Sequence, residues 1–211
     1  MKFNFQKTKV YGLLRSVYYG VNRSVEKIKG VDFSANAEDH ESSVDHSYGV
    51  HYTPSIKNGL VTILKKLPVK EDESIIDIGC GKGKAMYFMS KFPFKQIDGF
   101  DISEELCNVA RKNLDVLNIK NTTVYCANAS DFKNYNDYNY FYIFNALHSD
   151  LFTTVFENIK NSIQQQPRKV YIICLNPVYD RIILQDNSFK LLLTYNAFIR
   201  NFNVKCYTNN N

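Results

Sequence analysis

The residues best suited to chemistry are aspartates and glycines between positions 77 and 101. Ser74 to Ala85 reads S-I-I-D-I-G-C-G-K-G-K-A, an apolar stretch that runs into a loop with Gly79, Gly81 and Gly83. Glycine tolerates positive φ and lets another molecule approach the backbone. A loop at the carboxyl end of a parallel strand is where open α/β sheets bind their ligands. We therefore expect these glycines, with the intervening Cys80, to form a ligand-binding loop in which the Cys80 side chain packs.

The spacing of the glycines narrows the kind of ligand. A dinucleotide loop needs a third glycine three residues after the second, and Lys84 holds that position. The phosphate loop of nucleoside triphosphatases is absent too, because its Gly-Lys-Ser/Thr does not occur at the required spacing. Asp77 stands just before the first glycine, where a carboxylate would repel phosphate but would suit an ammonium group.

A further acid follows the next predicted strand, where Q-I-D-G-F-D-I-S reaches Asp101. An acid at this position can accept hydrogen bonds from ribose hydroxyls. Asp101 could instead favour the start of the following helix, but Ser103 is the better cap, and Glu104 and Glu105 already serve the helix dipole. A nucleoside that carries an amino acid would satisfy Asp77 and Asp101 together, and S-adenosylmethionine has that shape.

These segments resemble class I S-adenosylmethionine-dependent methyltransferases. More narrowly, they resemble bacterial methyltransferases grouped with the DOT1-like histone-lysine methyltransferase superfamily. The resemblance runs from about residue 48 to about residue 180 and rests on these pieces: Tyr52-Thr53-Pro54-Ser55, Gly79 to Gly83, G-F-D-I-S-E-E-L-C-N-V-A-R-K-N, Phe144-Asn145-Ala146-Leu147 and Asn176-Pro177-Val178. It implies an enzyme that transfers a methyl group from S-adenosyl-L-methionine to an unidentified acceptor.

The resemblance also implies roles for single residues at the methionine and ribose end of the cofactor. The glycine loop lies against the methionine part, and Asp77 holds either the loop or the amino group. Asp101 takes the ribose diol. Tyr52 covers the cofactor from the N-terminal side.

At the adenine end, the resemblance places C-A-N-A-S-D-F after strand three. Asn128, followed by Ala129, stands where the similar proteins have an acid, and an amide oxygen can still accept from the adenine amino group. Asp131 is an equal alternative, unless it caps the following turn. Ile102 and Phe132 could sandwich the adenine ring or could belong to the core.

The methyl acceptor is expected beyond strand four, at Asn145-Ala146-Leu147-His148. The Asn145 side-chain oxygen and a backbone carbonyl could hold an amine, although Ala146 replaces the proline of the similar proteins. His148 could act as a general base, because imidazole exchanges protons near neutral pH. Its alternative role is to begin a surface helix.

Several functions stay open at this stage. The acceptor could be a protein lysine, which the resemblance suggests, or a small molecule or sugar. The basic N-terminus weakly supports an RNA methyltransferase. A cofactor-binding sensor or partner subunit without transfer activity is the alternative of another class, because Ala146 and Asn128 depart from the pattern. A nicotinamide oxidoreductase is a more distant alternative. The chain could be a monomer or a homodimer.

From the composition we predict that the protein is cytoplasmic. The chain has 211 residues, 45% of them apolar, which suits one core. No apolar run reaches the roughly 18 residues that cross a membrane, and the start shows no secretory signal. The cysteines are scattered, form no zinc pattern and are expected to stay reduced. They are Cys80, Cys107, Cys126, Cys174 and Cys206.

We divide the chain at about residue 50. Residues 1–50 form an N-terminal extension, a basic amphipathic helix over about 6–28 followed by an acidic loop that could act as a lid. The apolar stripe of that helix, which includes Val21, Val25 and Ile28, should pack on the domain or on a second copy. Residues 51–211 form the methyltransferase domain.

The domain alternates strands and helices, which predicts a mostly parallel sheet with helices on both faces. Thr53 should cap its first helix, with Pro54 in the first position. We predict strands at 74–78, 96–100, 122–127, 140–145 and 169–174 and helices at about 83–92, 103–117 and 149–164. Two terminal strands, 189–195 and 202–207, are close enough to form an antiparallel hairpin. This gives a seven-stranded, Rossmann-like α/β fold, after which residues 208–211 should fray.

Overall fold

The computed structural model describes residues 20–34, 53–144, 147–197 and 202–210. Its strands, in chain order, are β1 (Ser74–Ile78), β2 (Gln96–Asp101), β3 (Thr122–Cys126), β4 (Tyr140–Phe144), β5 (Tyr171–Leu175), β6 (Phe189–Ala197) and β7 (Phe202–Asn209). They form one seven-stranded sheet in the order β3-β2-β1-β4-β5-β7-β6. Strands β1 to β5 pair in parallel, whereas β7 is antiparallel to both β5 and β6. The predicted Rossmann-like fold with an antiparallel C-terminal hairpin is confirmed.

Helices cover both faces of the sheet. They are α1 (20–29), α2 (Lys57–Leu64), α3 (Lys84–Met89), α4 (Glu104–Val116), α5 (Ser149–Gln165) and α6 (Asp180–Leu184). One buried cluster contains apolar side chains of α2, α3 and α4, and a second contains those of α5 and α6. Strands β1 and β5 are buried along their whole length, which explains why their sequences are mostly apolar rather than alternating, with Asp77 as the charged exception in β1. No helix among the residues described is long and apolar enough to cross a membrane.

Helix α2 begins later than its sequence predicts. Residues 53–56 are not helical, and Ile56 occupies the N-cap position without a side-chain cap. The prediction that Thr53 caps the helix and Pro54 opens it is therefore wrong. The hydroxyl of Ser55 lies 3.1 Å from that of Tyr142 in β4, a contact that ties this segment to the sheet before the helix starts.

Thr208 and Asn209 continue a strand where fraying was predicted. Thr208 and Asn209 lie in β7 and are buried. The Asn209 side chain accepts a hydrogen bond from the Val170 amide at 3.0 Å and donates one to the Arg168 carbonyl at 2.9 Å. A polar side chain of this tail therefore hydrogen-bonds backbone groups just before β5, and strand β7 continues to Asn209.

The apolar stripe of α1 does not pack on the domain within the described part of the helix. Val21, Val25 and Ile28 are 57%, 43% and 85% exposed. Glu26 is buried instead, at 8% exposure, because its carboxylate meets the ammonium group of Lys84. The alternative, packing on a second copy, stays a prediction.

Candidate functional site

The glycine loop folds back onto the end of β2. Gly79, Gly81 and Gly83 have φ values of 78°, 50° and 78°, a region that L side chains rarely adopt. The amides of Gly79 and Cys80 both donate to the Phe100 carbonyl at 2.9 Å. These bonds fix the loop across the carboxyl ends of β1 and β2, where the sequence analysis predicted that a ligand binds.

Gly99 lies against the side chain of Cys80 in the glycine loop, and the sequence analysis assigned it no role. A Cβ at this position would lie 2.7 Å from the Cys80 Cβ and 2.8 Å from the Met86 sulfur. The Cys80 side chain is 5% exposed, and burial, with the nearby Asp101 charge, raises the pKa of its thiol well above the ordinary value. Cys80 thus packs into the space that Gly99 leaves, as predicted for its side chain. The only sequence signal for Gly99 was a glycine inside a strand.

Asp101 stands at the tip of β2 and contacts the glycine loop directly. One carboxylate oxygen accepts from the Gly81 amide at 2.9 Å and the other from the Ser103 amide at 3.0 Å. Burial raises the pKa of Asp101, and hydrogen bonds from Ser103, Gly81 and Ile102 amides act in the opposite direction. Each carboxylate oxygen has a second acceptor position, so these contacts are compatible with the predicted ribose role.

Asp77 is the buried acid beneath the loop. Its side chain belongs to β1 and is 2% exposed. Among the described residues, no hydrogen-bond donor contacts its carboxylate, and burial, followed by the Asp101 charge, raises its pKa well above the ordinary value. A buried carboxylate without a donor is costly unless a cation pairs with it. The site therefore favours a ligand that brings a positive group to Asp77.

Tyr142 lies beside Asp77, in register on the neighbouring strand β4. Its hydroxyl meets that of Ser55 at 3.1 Å, and burial together with the Asp77 charge raises the pKa of the phenol. The sequence analysis did not assign Tyr142 a role. The signal was present in Y-F-Y-I-F, where tyrosine repeats at every second position of a buried strand.

At the predicted adenine end, Asn128 begins a turn. Its side-chain oxygen accepts from the Ser130 amide at 3.1 Å, and its carbonyl accepts from the Asp131 amide at 2.9 Å. Ala129 is buried, and its carbonyl accepts from the Tyr135 hydroxyl at 3.2 Å. Asn128 thus caps the turn that contains Asp131, whereas capping of the following turn by Asp131 and adenine contacts by Asn128, Ala129 or Asp131 stay predictions.

Of the proposed adenine sandwich, one member belongs to the core. Phe132 is buried and stacks on Phe100 with ring centroids 4.6 Å apart. Ile102 is 41% exposed just beyond Asp101, a position open to a ligand. The structure therefore supports the core role for Phe132 and leaves Ile102 as a predicted adenine contact.

The predicted acceptor side lies beyond β4 and β5. His148 is exposed at the N-terminus of α5, where its carbonyl accepts from the Phe152 amide at 2.8 Å. This is the helix-start position, and a base role for His148 stays a prediction. Asn145 and Tyr52, to which we assigned acceptor and cofactor contacts, lie outside the described residues.

A small pocket opens between the loops that follow β4 and β5. Its lining is mostly apolar and includes Leu147, Phe152, Pro177, Val178 and Tyr179. At its edge, Asn176 has a left-handed φ of 54° and donates from its backbone amide to the Asn203 carbonyl at 2.8 Å. In the part of the chain that the structure describes, no cluster of three or more His, Cys, Asp or Glu residues could hold a metal ion.

Comparison with known proteins gives a consistent result. Residues 75–166 match a family model described as a methyltransferase domain. Ribosomal protein L11 methyltransferase of Ruminiclostridium cellulolyticum is 33% identical over 99 residues, which are 45% of this chain and 30% of that protein. A Methanococcus vannielii protein named "Probable cobalt-precorrin-6B C(15)-methyltransferase (decarboxylating)" is 35% identical over 68 residues, 32% of this chain and 37% of that protein. The chain thus matches about a third of the length of these curated relatives.

A solved structure shows the same fold. A Streptococcus mutans protein described as a methyltransferase, in complex with S-adenosylhomocysteine, aligns with a TM-score of 0.57 at 15% identity. The alignment covers 74% of this chain and 99% of that one.

The strand order, the glycine loop and the family match together define the class. Residues 75–166 lie in a class I S-adenosylmethionine-dependent methyltransferase domain. The family match agrees with S-adenosylmethionine as the cofactor, which is the cofactor of the class that the sequence resembled.

Proposed function

We propose that this protein transfers the methyl group of S-adenosylmethionine to an acceptor at the carboxyl ends of β4 and β5. The observation that carries the proposal is the Asp77 carboxylate, which is buried under the glycine loop without a donor from the described residues. The amino group of the cofactor's methionine part is the cation that this site calls for. Asp101, beside the same loop, would receive the ribose hydroxyls.

Catalysis in this proposal is mainly a matter of alignment. The bound cofactor supplies a methyl group on a positively charged sulfur, which is already a good leaving group. The glycine loop, Asp77 and Asp101 fix the direction in which that methyl points, and alignment of two reactants can lower a barrier by roughly 7–11 kcal/mol. His148 is the proposed base where the acceptor must lose a proton, and Asn145 is proposed to orient the acceptor.

We infer that the acceptor is an amino group on a protein. The resemblance to lysine methyltransferases favours it, and one relative is named for a ribosomal protein. The apolar pocket beside β4 and β5 supports it as well, since the methylene stem of a lysine packs on apolar surface while its amine stays free to react. The other relative is named for a cobalt-precorrin, so a small-molecule acceptor is the alternative.

Transfer of a labelled methyl group in host lysate tests the proposal. The labelled products are separated by protease, nuclease and size, with Asp101→Ala as the matched variant of weakened cofactor binding. Label in a protein fraction that depends on Asp101 is expected. Label in RNA or in small molecules would contradict the protein acceptor while keeping methyl transfer. Absence of label from a protein that binds S-adenosylhomocysteine, in several lysates, would favour a sensor.

A further inference from the structure

The glycine loop carries lysines that the proposed function does not use. Lys82 lies between two of the glycines, and its side chain is only 1% exposed. Its ammonium nitrogen lies 3.0 Å from a carboxylate oxygen of Asp32. Lys84 follows the last glycine, is 14% exposed, and lies 2.9 Å from a Glu26 carboxylate oxygen. Both partners come from the N-terminal segment 20–34, far from the loop in sequence.

These ion pairs belong to a built contact. The Ser34 hydroxyl donates to Glu26 at 2.8 Å and lies 3.1 Å from the Lys84 nitrogen. Asn113 of α4 is 2% exposed and joins both sides, because its amide donates to the carbonyls of Asp32 at 2.8 Å and Lys82 at 3.0 Å. The Glu26 side chain is 11% exposed and that of Asp32 is 44% exposed, so the segment is fastened to the loop mainly by buried polar groups, with Asp32 at the edge of the contact.

The charge of the loop matters because of the cofactor's own charge. S-adenosylmethionine has a positive sulfur, whereas its product S-adenosylhomocysteine has a neutral one and is otherwise charged alike. Lysines on the loop without acidic partners would disfavour the positive sulfur and leave the neutral one unaffected. A unit charge about 10 Å away, at an effective dielectric constant of about 20, changes a binding constant on the order of tenfold.

We propose that Glu26 and Asp32 set the charge of the cofactor loop and thereby favour the methyl donor over its demethylated product. This inference rests on the proposed function, since it requires the cofactor's methionine part at the glycine loop. Glu26 acts through Lys84, and Asp32 acts through Lys82. Both acids are thus positioning residues that determine specificity between donor and product, and neither touches the reacting atoms.

The test is the ratio of two dissociation constants, for S-adenosylmethionine and S-adenosylhomocysteine, measured by calorimetry on the full chain. Glu26→Gln keeps the shape of the side chain and removes its charge. We expect it to weaken binding of the donor several-fold more than binding of the product. Lys84→Gln should shift the ratio in the opposite direction, because it leaves the Glu26 charge without its ammonium partner. The double variant should return the ratio to that of the wild type.

Glu157→Gln is the matched control. It makes the same change of charge on α5, across the sheet from the loop, where Glu157 pairs with Lys160 at 2.8 Å. It should leave the ratio unchanged. Thermal unfolding of each variant separates loss of fold from loss of affinity, and Lys84→Gln tests the ratio independently if Glu26→Gln does not fold.

The inference is overturned if Glu26→Gln weakens binding of donor and product equally. It is also overturned if Lys84→Gln leaves the ratio of the two dissociation constants unchanged. In both cases the proposed function still holds. A folded wild type that binds neither molecule would instead overturn the proposed function. The two failures are therefore distinct.

Discussion

The Asp101 carboxylate accepts a hydrogen bond from the Gly81 amide at 2.9 Å, so the tip of β2 holds the loop that follows β1. Its second oxygen accepts from the Ser103 amide at the start of α4. One side chain thus joins the glycine loop to the start of the next helix and keeps acceptor positions for a ligand. Substitution of Asp101 should consequently affect the shape of the loop as well as the contact with ribose.

Replacement of Asp101 by alanine should weaken binding of S-adenosylhomocysteine by roughly 1–3 kcal/mol, because buried donors and the ribose hydroxyls lose their acceptor. Calorimetry measures this directly. The control is Asp115→Ala on α4, where the aspartate side chain is 82% exposed and pairs only with exposed Lys120 among the described residues. Affinity in Asp101→Ala equal to that of the wild type would refute the ribose assignment.

Cofactor affinity should rise with pH across the raised pKa of Asp77. Burial, with the Asp101 charge, lifts that pKa well above 3.8, so the carboxyl is still protonated at pH values where an ordinary aspartate is ionised. An ammonium group pairs with the ionised form, so binding should release protons below the raised pKa and release none well above it. Calorimetry in buffers of different ionisation enthalpy counts these protons. Asp77→Asn should remove the effect; persistence of the same proton release in that variant would assign it to another group.

The same shift predicts the stability of the protein without cofactor. A carboxyl whose pKa is raised in the folded state binds its proton more tightly there than in the unfolded chain. Its ionisation therefore costs stability, and the cost grows as pH rises from the unfolded value through the folded one. Asp77→Asn should raise the melting temperature at neutral pH in the absence of cofactor. A lower melting temperature there would show that the ionised carboxylate stabilises the fold.

Gly99→Ala should destabilise the protein by about 1–3 kcal/mol, because added volume in a packed interior forces neighbours to move. The new methyl would lie 2.7 Å from the Cys80 Cβ, directly under the glycine loop. Cofactor affinity should fall as well. The matched control is Gly20→Ala in α1, where no atom of the described residues beyond its own helix backbone and chain neighbours lies within 4 Å of the added Cβ. Chemical denaturation measures the stability of both variants. Equal stabilities would contradict the packing argument.

Asn209→Ala should destabilise the fold by about 1–3 kcal/mol, since it leaves the buried Val170 amide and Arg168 carbonyl without their partner. Asn210→Ala is the control, because Asn210 is exposed and its side chain contacts only the Asn187 carbonyl among the described residues. Urea unfolding measures both. Equal stability of the two variants would restore the prediction that the chain end frays.

The sheet could be predicted from sequence because its signals are local. Strand β1, Ser74–Ile78, is a short apolar run that ends in glycine, and its predicted and observed bounds coincide. Ser103 caps α4 through the Leu106 amide, as its type and position indicated. Asp77 and Asp101 meet the same loop because parallel strands bring their carboxyl ends to one edge of the sheet.

Contacts between distant segments could not be predicted in the same way. The pairing of Glu26 with Lys84 joins residues 58 positions apart, and nothing in the local pattern marks Glu26 as buried. Hydrophobic periodicity favoured packing of Val21, Val25 and Ile28, but the ion pair turns another face of α1 toward the domain. Likewise, the polar end of β7 resembles a disordered tail until the position of β5 beside it is known.

Calorimetric titration of the wild-type protein with S-adenosylhomocysteine, and separately with NADH, is the most direct measurement. We predict saturable binding of S-adenosylhomocysteine at one site per chain and no binding of NADH, because the loop pairs a buried acid with glycines rather than forming a pyrophosphate site. Binding of NADH, or a folded protein that does not bind S-adenosylhomocysteine, would contradict the assignment of the glycine loop, Asp77 and Asp101 to the methyl donor.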